Sequence, residues 1–473
     1  MKKRVVDGVK RLSGKSPLVY RFVIGLYHAL NYGLIDLFWF IFLYFKEMTG
    51  DSRCGKGRES RESRPVISML AISDLKHDPR VERAAKTLAN RGYSVRILCP
   101  GLGDQGRETL DIDWGKGISF RILPATFGSY NYRLPYVFGL KFFRAAEEEK
   151  PFAYHCHDLS TSVVGLAAAS RSGAYCICDF HEWYSENASW DQFKKRFVAH
   201  PRHKKALYRA GEKLVMDKAT AVITVCDSIA ESLERSHNKR RHVHVIRNIP
   251  FIEDMKEAGG SDLREITGVG KEIFVLLYQG GVGPSRYLEP VIRAMAQVRD
   301  AIFVIRGPGM ETYRKDYDNL AKSLGIGDRI FCLDPVPSQR VVAEAASADA
   351  GIWTLKNICK NFEFALPNKV FEYLTAGLPV LVADYPEVRK LVRTYDVGLC
   401  FDPDSPSSIA DAINSMAGDA DLRRRCRGNI RAALNANQPE LEWEKLVALY
   451  NELHGKQRGM SISHTPVKVG DRK

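Results

Sequence analysis

Residues 66–100 read VISMLAISDLKHDPRVERAAKTLANRGYSVRILCP. The stretch begins with a short apolar run. A polar loop comes next, followed by a helical pattern that ends at Gly92. A second apolar run, SVRILC, ends the stretch. Glycine after the last periodic residue is a common helix C-cap. Strand, helix and strand in succession form a βαβ unit, which requires a parallel sheet with a right-handed crossover. The stretch therefore predicts an α/β fold.

The same alternation continues on both sides of a polar stretch, EDMKEAGGSDLREITGVGKE (253–272). We predict two Rossmann-like, doubly wound parallel sheets that face a cleft, where ligands collect at the carboxyl ends of the strands. The predicted units are a basic N-terminus with an aromatic-rich helix (1–49), a linker (50–64), an N-terminal Rossmann-like domain (65–255), a C-terminal Rossmann-like domain (256–429), crossover C-terminal helices (430–455) and a disordered tail (456–473).

Composition and motifs exclude several classes. Of the 473 residues, 45% are hydrophobic and 27% are charged, which is ordinary for a globular protein. No GxGxxG follows the first strand and no GxxxxGK[ST] occurs, so nicotinamide binding loses its main support and a P-loop is excluded. The ten cysteines lack CxxC spacing, so we expect a reducing compartment, no metal and no disulfides.

The formal net charge of +14 indicates an anionic partner. No nucleic-acid-binding motif is present, whereas a basic N-terminus precedes an aromatic-rich apolar segment, residues 22–45. That segment is long enough to span a bilayer. However, Asp36 and two basic flanks favour a helix that lies in, or dips into, the cytoplasmic leaflet. A spanning helix and a buried hairpin of a soluble protein remain as alternatives.

Residues 363–381, EFALPNKVFEYLTAGLPVL, resemble the donor-nucleotide signature of family 4 retaining glycosyltransferases of the bacterial surface-polysaccharide type. These enzymes have the GT-B fold. Four further stretches resemble family segments in the same order: DPRVERAAKTLANRGYSV, YHCHDLSTSVVGLAAA, CDFHEWYSE and YQGGVGPSRYLEPVIRAM. The resemblance covers roughly residues 66 to 455 and implies a nucleotide-sugar donor, with uridine and guanosine both open.

The physics of the central stretch agrees with a donor site. Pro367 can occupy a first helical turn, which leaves the N–H groups of Asn368, Lys369 and Val370 pointing outward. A positive helix end suits a diphosphate. Glu372 lies about one turn beyond Asn368, and the resemblance implies that it binds the ribose hydroxyls. The alternative is an exposed helical glutamate.

The glycine-rich loop supplies the other donor candidates. Gly280 and Gly281 allow close approach of the backbone to a phosphate. The resemblance implies that Arg286 neutralises the donor diphosphate, and arginine suits that contact. Arg306, at the end of the next strand, is a lesser candidate that can equally be paired structurally.

One position departs from the family pattern. The resemblance places a first glutamate eight positions before Glu372, where this chain has Phe364. Either a local bulge brings Glu363 into that place, or this chain dispenses with the carboxylate. We favour the second alternative.

The acceptor side of the cleft is predicted from strand ends. The resemblance implies that His157 faces the donor sugar and assists catalysis. We predict that Asp158, His181 and Glu182 contact the acceptor, with contact of His181 and Glu182 to the nucleotide or the donor sugar also open. A strand-capping histidine and a structural His181–Glu182 pair are the alternatives.

Asp78 and Arg80 lie in the loop after the first strand, which faces the acceptor in such folds. Arg80 is the preferred contact for an acceptor phosphate. Asp78 can also be only the N-cap of the helix that begins at Pro79.

We therefore predict a metal-independent, retaining glycosyltransferase without a cofactor, in which His157, Arg286 and Glu372 carry catalysis. The expected acceptor is a polyprenyl-diphosphate-linked saccharide. Residues 17–49 and 194–209 are expected to hold the enzyme on the cytoplasmic face of the plasma membrane. A non-catalytic GT-B scaffold that binds a nucleotide sugar or a partner enzyme is the main alternative, and a nucleotide-sugar epimerase is another.

Overall fold

The computed structural model describes residues 65–73, 75, 78–100, 112–123, 135–191, 196–237, 242–251 and 259–457. The predicted N-terminal membrane segment, the linker and residues 458–473 of the tail lie outside the described residues. Among the helices of the described part, none is both long enough and apolar enough to cross a bilayer.

The first domain is built on a seven-stranded parallel sheet, in the order β3-β2-β1-β4-β5-β8-β9. Its strands are β1 (Val66–Leu70), β2 (Ser94–Pro100), β3 (Ile118–Leu123), β4 (Ala153–His157), β5 (Tyr175–Phe180), β8 (Ala221–Thr224) and β9 (Val243–Val245). A separate antiparallel hairpin joins β6 (Ala188–Asp191) to β7 (Arg196–Ala199).

Five helices connect these strands: α1 (Pro79–Asn90), α2 (Pro135–Glu149), α3 (Asp158–Ser172), α4 (Arg202–Lys218) and α5 (Asp227–Ser236). The start of α1 shows how the sequence sets a boundary. Asp78 is the N-cap, its carboxylate accepts a hydrogen bond from the Val81 N–H at 3.3 Å, and Pro79 occupies the first turn. The chain then turns at Gly92, whose φ of +91° suits glycine.

The second domain has a six-stranded parallel sheet, in the order β12-β11-β10-β13-β14-β15. Its strands are β10 (Phe274–Gln279), β11 (Ala301–Arg306), β12 (Ile330–Leu333), β13 (Ala350–Trp353), β14 (Val380–Ala383) and β15 (Gly398–Phe401). Its helices are α6 (Leu263–Thr267), α7 (Glu289–Ala294), α8 (Met310–Ser323), α9 (Val341–Ala345), α10 (Lys360–Glu363), α11 (Asn368–Thr375), α12 (Pro386–Tyr395), α13 (Pro406–Gly418) and α14 (Ala420–Ala436).

Both sheets confirm the predicted pair of Rossmann-like parallel domains. Strands β1 and β10 are buried along their whole length, because a parallel sheet is covered on both faces. In each sheet the chain reverses its direction of travel beside the first strand, at β1–β4 and at β10–β13. Such switch points open a crevice at the carboxyl ends of the strands.

The last helix, α15 (Pro439–Gln457), returns to the first domain. Helix α14 contributes Cys426 and Ile430 to the core of the second domain, whereas α15 contributes Trp443 and Tyr450 to the core of the first. The crossover therefore lies between α14 and α15, just after Ala436.

Candidate active site

The donor side of the cleft begins where β10 ends. Gly280 has a φ of +140°, and a Cβ atom built there would lie 1.8 Å from Cε of Lys369. Glycine at this position therefore leaves the space through which the Lys369 side chain passes. At Gly281, by contrast, an added Cβ would meet nothing within 4 Å.

Lys369 and Arg286 bring two positive charges together. Within the described part of the chain, neither side chain forms an ion pair with a carboxylate. Burial and the Arg286 charge lower the pKa of Lys369 to about 8. The Lys369 ammonium lies 6.0 Å from the centre of the Tyr278 ring. Glu372 opposes the lowering of the Lys369 pKa but does not form an ion pair with Lys369. A half-buried pair of cations without an ion-paired carboxylate is the environment that a diphosphate would neutralise.

The N-terminus of α11 adds to this positive region. Pro367 is the N-cap, one position before the helix and not inside its first turn as expected. The Val370 N–H donates to the Pro367 carbonyl at 3.2 Å, so it does not point outward as predicted. In the described structure the N–H groups of Asn368 and Lys369 have no partner and remain for a ligand.

Glu372 lies one turn further along α11 and is half-buried. Burial raises the pKa of its carboxyl group, and the neighbouring Lys369 opposes that rise. Its position beside the helix N-terminus is compatible with contact to a ribose attached to a bound diphosphate.

The position of the missing family glutamate is filled by an aromatic contact. The Phe364 ring stacks on Trp183 of the first domain, with ring centres 5.9 Å apart and planes at 9°. The backbone N–H of Trp183 donates to Asn361 Oδ1 at 2.8 Å and connects the same two segments. Glu363 forms an ion pair with Lys360 at 2.7 Å. The geometry thus favours the reading in which this chain dispenses with the carboxylate.

On the first domain, His181 is closer to the cleft than His157. The His157 side chain is 2% exposed and His181 is 19% exposed. The two rings are linked by a 3.1 Å contact between His157 Nδ1 and His181 Nε2. His181 lines the cleft cavity, whereas His157 lies behind it. This corrects the prediction that His157 is the histidine facing the donor sugar.

The charges of the two imidazoles are set in opposite directions. Burial, His155 and His181 hold the pKa of His157 well below its ordinary value. Burial also opposes the charged form of His181, but Asp158 and Asp179 outweigh it and raise the pKa of His181. His181 is therefore the imidazole that carries a proton more readily.

Arg80 is a buried residue of the first domain. It is 3% exposed and donates to both oxygens of Asp179, at 2.6 and 2.9 Å, and to the Ile246 carbonyl at 2.9 Å. Although burial opposes ionisation, Arg80 holds the pKa of Asp179 well below its usual range. These bonds pair its guanidinium inside the first domain and show a structural role that was not expected. Arg80 also lines the cleft cavity, so its contact with an acceptor phosphate stays a prediction.

Arg306 is likewise a structural residue. It is 3% exposed and forms a 3.2 Å ion pair with Glu344 on α9. Arg306 therefore has the structural role that was the alternative to a donor contact.

Acidic and amide groups border the acceptor side of a cleft cavity of about 300 Å³. Asp78 and Glu182 line it, and Asp158 lies behind His181. Burial and Asp158 raise the pKa of Glu182, which accepts a hydrogen bond from Asn187. Asp158 has a φ of +75°, an unfavourable conformation for aspartate, and accepts a hydrogen bond from the Tyr184 hydroxyl.

One group among the described residues has the spacing of metal ligands: His155, His157 and Asp179. Arg80 already occupies both carboxylate oxygens of Asp179. A second cation beside a guanidinium at this distance would be repelled, so these residues do not fit a divalent metal ion.

The described part of the predicted basic run at 194–209 begins at Arg196 and contributes to two elements, β7 and α4. Lys205 and Arg209 both form 2.7 Å ion pairs with Glu186. Lys204 donates to Ser189 Oγ and lies 5.5 Å from the centre of the Tyr208 ring. Several of the cations that were expected to contact lipid therefore form ion pairs or hydrogen bonds within the first domain.

Trp183 and Asn361 were not predicted as site residues. Trp183 belongs to the quoted segment CDFHEWYSE, but its partner lies in the other domain, so no local pattern could identify the contact.

Comparisons with known proteins agree with this architecture. Residues 78–248 match the family described as Glycosyl transferase 4-like domain, and residues 261–433 match Glycosyl transferases group 1. A D-inositol 3-phosphate glycosyltransferase from Nocardia farcinica is 23% identical over 66% of this chain and 75% of its own. TuaH of Bacillus subtilis, named for teichuronic acid biosynthesis, is 22% identical over 67% of this chain and 79% of its own.

Solved structures share the fold. Sucrose-phosphate synthase from Thermosynechococcus elongatus superposes with a TM-score of 0.67 at 16% identity, over 83% of this chain and 100% of that one. Anabaena HepE in complex with UDP-glucose superposes with a TM-score of 0.61 at 17% identity, over 82% of this chain and 100% of that one. With two matching family domains in sequence order on two parallel sheets, this chain belongs to the family 4 glycosyltransferases of the GT-B fold.

Proposed function

We propose that the enzyme transfers a sugar from a UDP- or GDP-sugar to a lipid-linked saccharide, with retention of configuration and without a metal ion. The observation that carries the donor assignment is the pair Arg286 and Lys369, two cations without a carboxylate partner beside the N-terminus of α11. Glu372 then lies where a ribose would follow the diphosphate.

In the proposed reaction the C1–O bond between sugar and β-phosphate breaks, and its electron pair passes to the leaving phosphate. Arg286, Lys369 and the Asn368 N–H stabilise the charge that develops there. The acceptor hydroxyl forms the new bond to C1 on the same face, and its proton passes to an oxygen of the leaving phosphate. No protein nucleophile is needed in this scheme, and an inverted product would exclude it.

His181 has a supporting role in this proposal. It borders the cleft cavity together with Asn368, and its raised pKa favours the imidazolium form. A positive imidazole on the opposite wall would add to the stabilisation of the leaving phosphate. His157 holds the other side of the His181 ring and acts as a positioning residue.

Metal independence follows from the same cations, because they supply the charge that a divalent ion otherwise provides. Treatment with EDTA should leave the turnover rate unchanged. Loss of activity in EDTA, restored by Mg²⁺ or Mn²⁺, would exclude this part of the proposal.

The acceptor and the location are proposed from the sequence and a relative's name. Residues 17–49 supply a basic and aromatic segment that suits a membrane surface, and the relative from Bacillus subtilis is named for teichuronic acid biosynthesis. We therefore place the enzyme on the cytoplasmic face of the plasma membrane, with a polyprenyl-diphosphate-linked saccharide as acceptor. A cysteine introduced near Lys3 should resist an impermeant thiol reagent applied to intact cells. Labelling from outside would exclude the monotopic arrangement.

The donor is tested first by protection from thermal unfolding with UDP-, GDP- and ADP-sugars. A ligand at 100 times its dissociation constant stabilises by about 2.7 kcal/mol, so a hit requires no acceptor. We expect one nucleotide sugar to raise the melting temperature of the native protein and of Glu311→Ala, a control on the exposed first turn of α8. Glu372→Ala should lose that shift. Equal protection of Glu372→Ala would exclude its ribose role.

A further inference from the structure

A second cavity, of about 650 Å³, lies between the hairpin of the first domain and the donor domain. Strand β7 forms one wall through Arg196 and its three following residues. The turn Pro284–Tyr287, the start of α7 and the loop near Lys356 form the other walls. The cavity is therefore built only when the two domains are together.

Three cations face this cavity: Arg196, Arg293 and Lys356. All three are exposed, and within the described residues none of them forms an ion pair with a carboxylate. Two carboxylates, Glu289 and Asp404, also line the cavity. Three positive charges against two negative charges leave an excess of one, and none of the three cations forms an ion pair with Glu289 or Asp404 in the described structure.

Asp404 is already engaged. Its carboxylate lies near the Tyr287 hydroxyl, and burial together with this negative neighbour raises the pKa of Tyr287 to about 12. Lys356 lies with its ammonium 5.0 Å from the centre of the Tyr287 ring, and its backbone N–H donates to the Ser285 carbonyl at 3.1 Å. These contacts hold one cation and one aromatic ring at the cavity wall.

Tyr287 itself is strained, with a φ of +55° in a region that bulky residues avoid. Such conformations persist where surrounding contacts enforce them, and they occur often at binding sites. Two consecutive residues of this turn serve different places. The Arg286 charge acts on Lys369 at the donor site, whereas Tyr287 lines the second cavity. The donor site and the second cavity therefore share this turn.

We propose that this cavity is a second anion site, distinct from the donor site, that binds the diphosphate of the acceptor substrate. This inference rests on the proposed lipid-linked acceptor. Unpaired cations recognise phosphate oxygens through charge-assisted hydrogen bonds. The apolar and aromatic walls, Phe197, Pro290 and Ile358, suit the organic group on either side of a diphosphate.

Titration calorimetry of the full chain with inorganic pyrophosphate tests the site, with the donor site first saturated by UDP or GDP. We expect pyrophosphate to bind the nucleotide-loaded protein. The double variant Arg293→Ala/Lys356→Ala should lower that affinity at least about tenfold and leave nucleotide affinity unchanged, as expected when charge-assisted bonds are lost. The matched control, Lys322→Ala/Arg431→Ala, removes the same residue types from exposed helix positions elsewhere.

Unchanged pyrophosphate affinity in the double variant, or pyrophosphate that only displaces the nucleotide, would overturn the proposal. If neither nucleotide binds, the proposed function fails, and the cavity is then judged separately by pyrophosphate binding to Arg286→Ala and to the double variant. Farnesyl diphosphate should compete with pyrophosphate. Competition by monomeric dihexanoyl phosphatidylglycerol would instead assign the site to a lipid headgroup and overturn the acceptor assignment.

Discussion

Trp183 of the first domain lies flat on Phe364 of the second domain, with ring centres 5.9 Å apart. Phe364 belongs to the loop that leads into α11, so this contact connects the first domain to the loop that positions Lys369 and Glu372. The Phe364 carbonyl also accepts from the Cys226 thiol at 3.4 Å. The aromatic pair therefore fixes the donor loop in a conformation that depends on domain closure.

We expect Trp183→Ala and Phe364→Ala each to lower turnover, because each loosens the donor loop. The double variant should be little worse than either single variant. A stacked aromatic pair contributes about 0.5–1.5 kcal/mol beyond burial, which sets the expected coupling energy in a double-mutant cycle. Phe120→Ala is the control, since Phe120 pairs with Trp114 inside the first domain. It should lower stability without changing turnover per folded molecule. Strictly additive losses would show that the two rings act independently.

Gly280 is predicted to be indispensable for donor binding, and Gly281 is not. An alanine Cβ at Gly280 would overlap the Lys369 side chain and would also strain the backbone. Displacing Lys369 removes a charge-assisted bond worth about 1.5–3 kcal/mol, which corresponds to roughly 10- to 150-fold weaker nucleotide binding.

Calorimetry of Gly280→Ala and Gly281→Ala with the donor nucleotide measures this difference. The Gly281 variant should retain most of the wild-type affinity, because its added methyl group meets open space. The Gly281 variant should melt close to the wild-type temperature. Gly280→Ala should melt lower because its backbone is strained, so nucleotide affinity is compared per folded molecule. Equal affinity of the two variants would show that Lys369 does not contact the nucleotide.

Arg80 and Asp179 are predicted to stabilise the first domain. Arg80→Met leaves Asp179 buried among histidines without its counter-charge, and breaking such a pair typically costs about 3–5 kcal/mol. The double variant Arg80→Met/Asp179→Leu removes both charges and should recover part of that loss. Thermal unfolding measures both variants, and we expect the double variant to melt at a higher temperature than Arg80→Met. If Arg80→Met is as stable as the native protein but loses acceptor affinity, the acceptor role applies after all.

The sequence was sufficient for the two sheets because strands such as β1 and β10 are short, mostly apolar runs that alternate with helical patterns. It also located the donor helix, since Pro367 and Asn368 mark a helix start locally. It could not show that Arg80 is paired, because Asp179 lies 99 residues away on a neighbouring strand.

The histidines illustrate the same limit. His157 and His181 end adjacent strands β4 and β5, so both were expected at the cleft edge. Which of them reaches the cavity depends on how the following turns and Asp158 orient the rings. That orientation results from tertiary packing and has no signature in the residue pattern.

The pH dependence of nucleotide binding is predicted to depend on Lys369. In the free enzyme its pKa is lowered to about 8, so the ammonium loses its proton as the pH rises through 8. A bound diphosphate stabilises the charged form and raises that pKa. Nucleotide affinity should therefore fall as the pH rises above 8, by up to about tenfold per pH unit.

Two substitutions isolate this effect. Lys369→Arg keeps its charge throughout this range, because the guanidinium pKa exceeds about 12, so its affinity should not fall between pH 7 and 9. Lys369→Met should bind weakly at every pH, since its charge is absent. Lys322→Arg on the exposed face of α8 should keep the wild-type profile. Calorimetry in buffers of equal ionic strength measures all four proteins. A fall that persists unchanged in Lys369→Arg would assign the titration to another group and remove Lys369 from the diphosphate site.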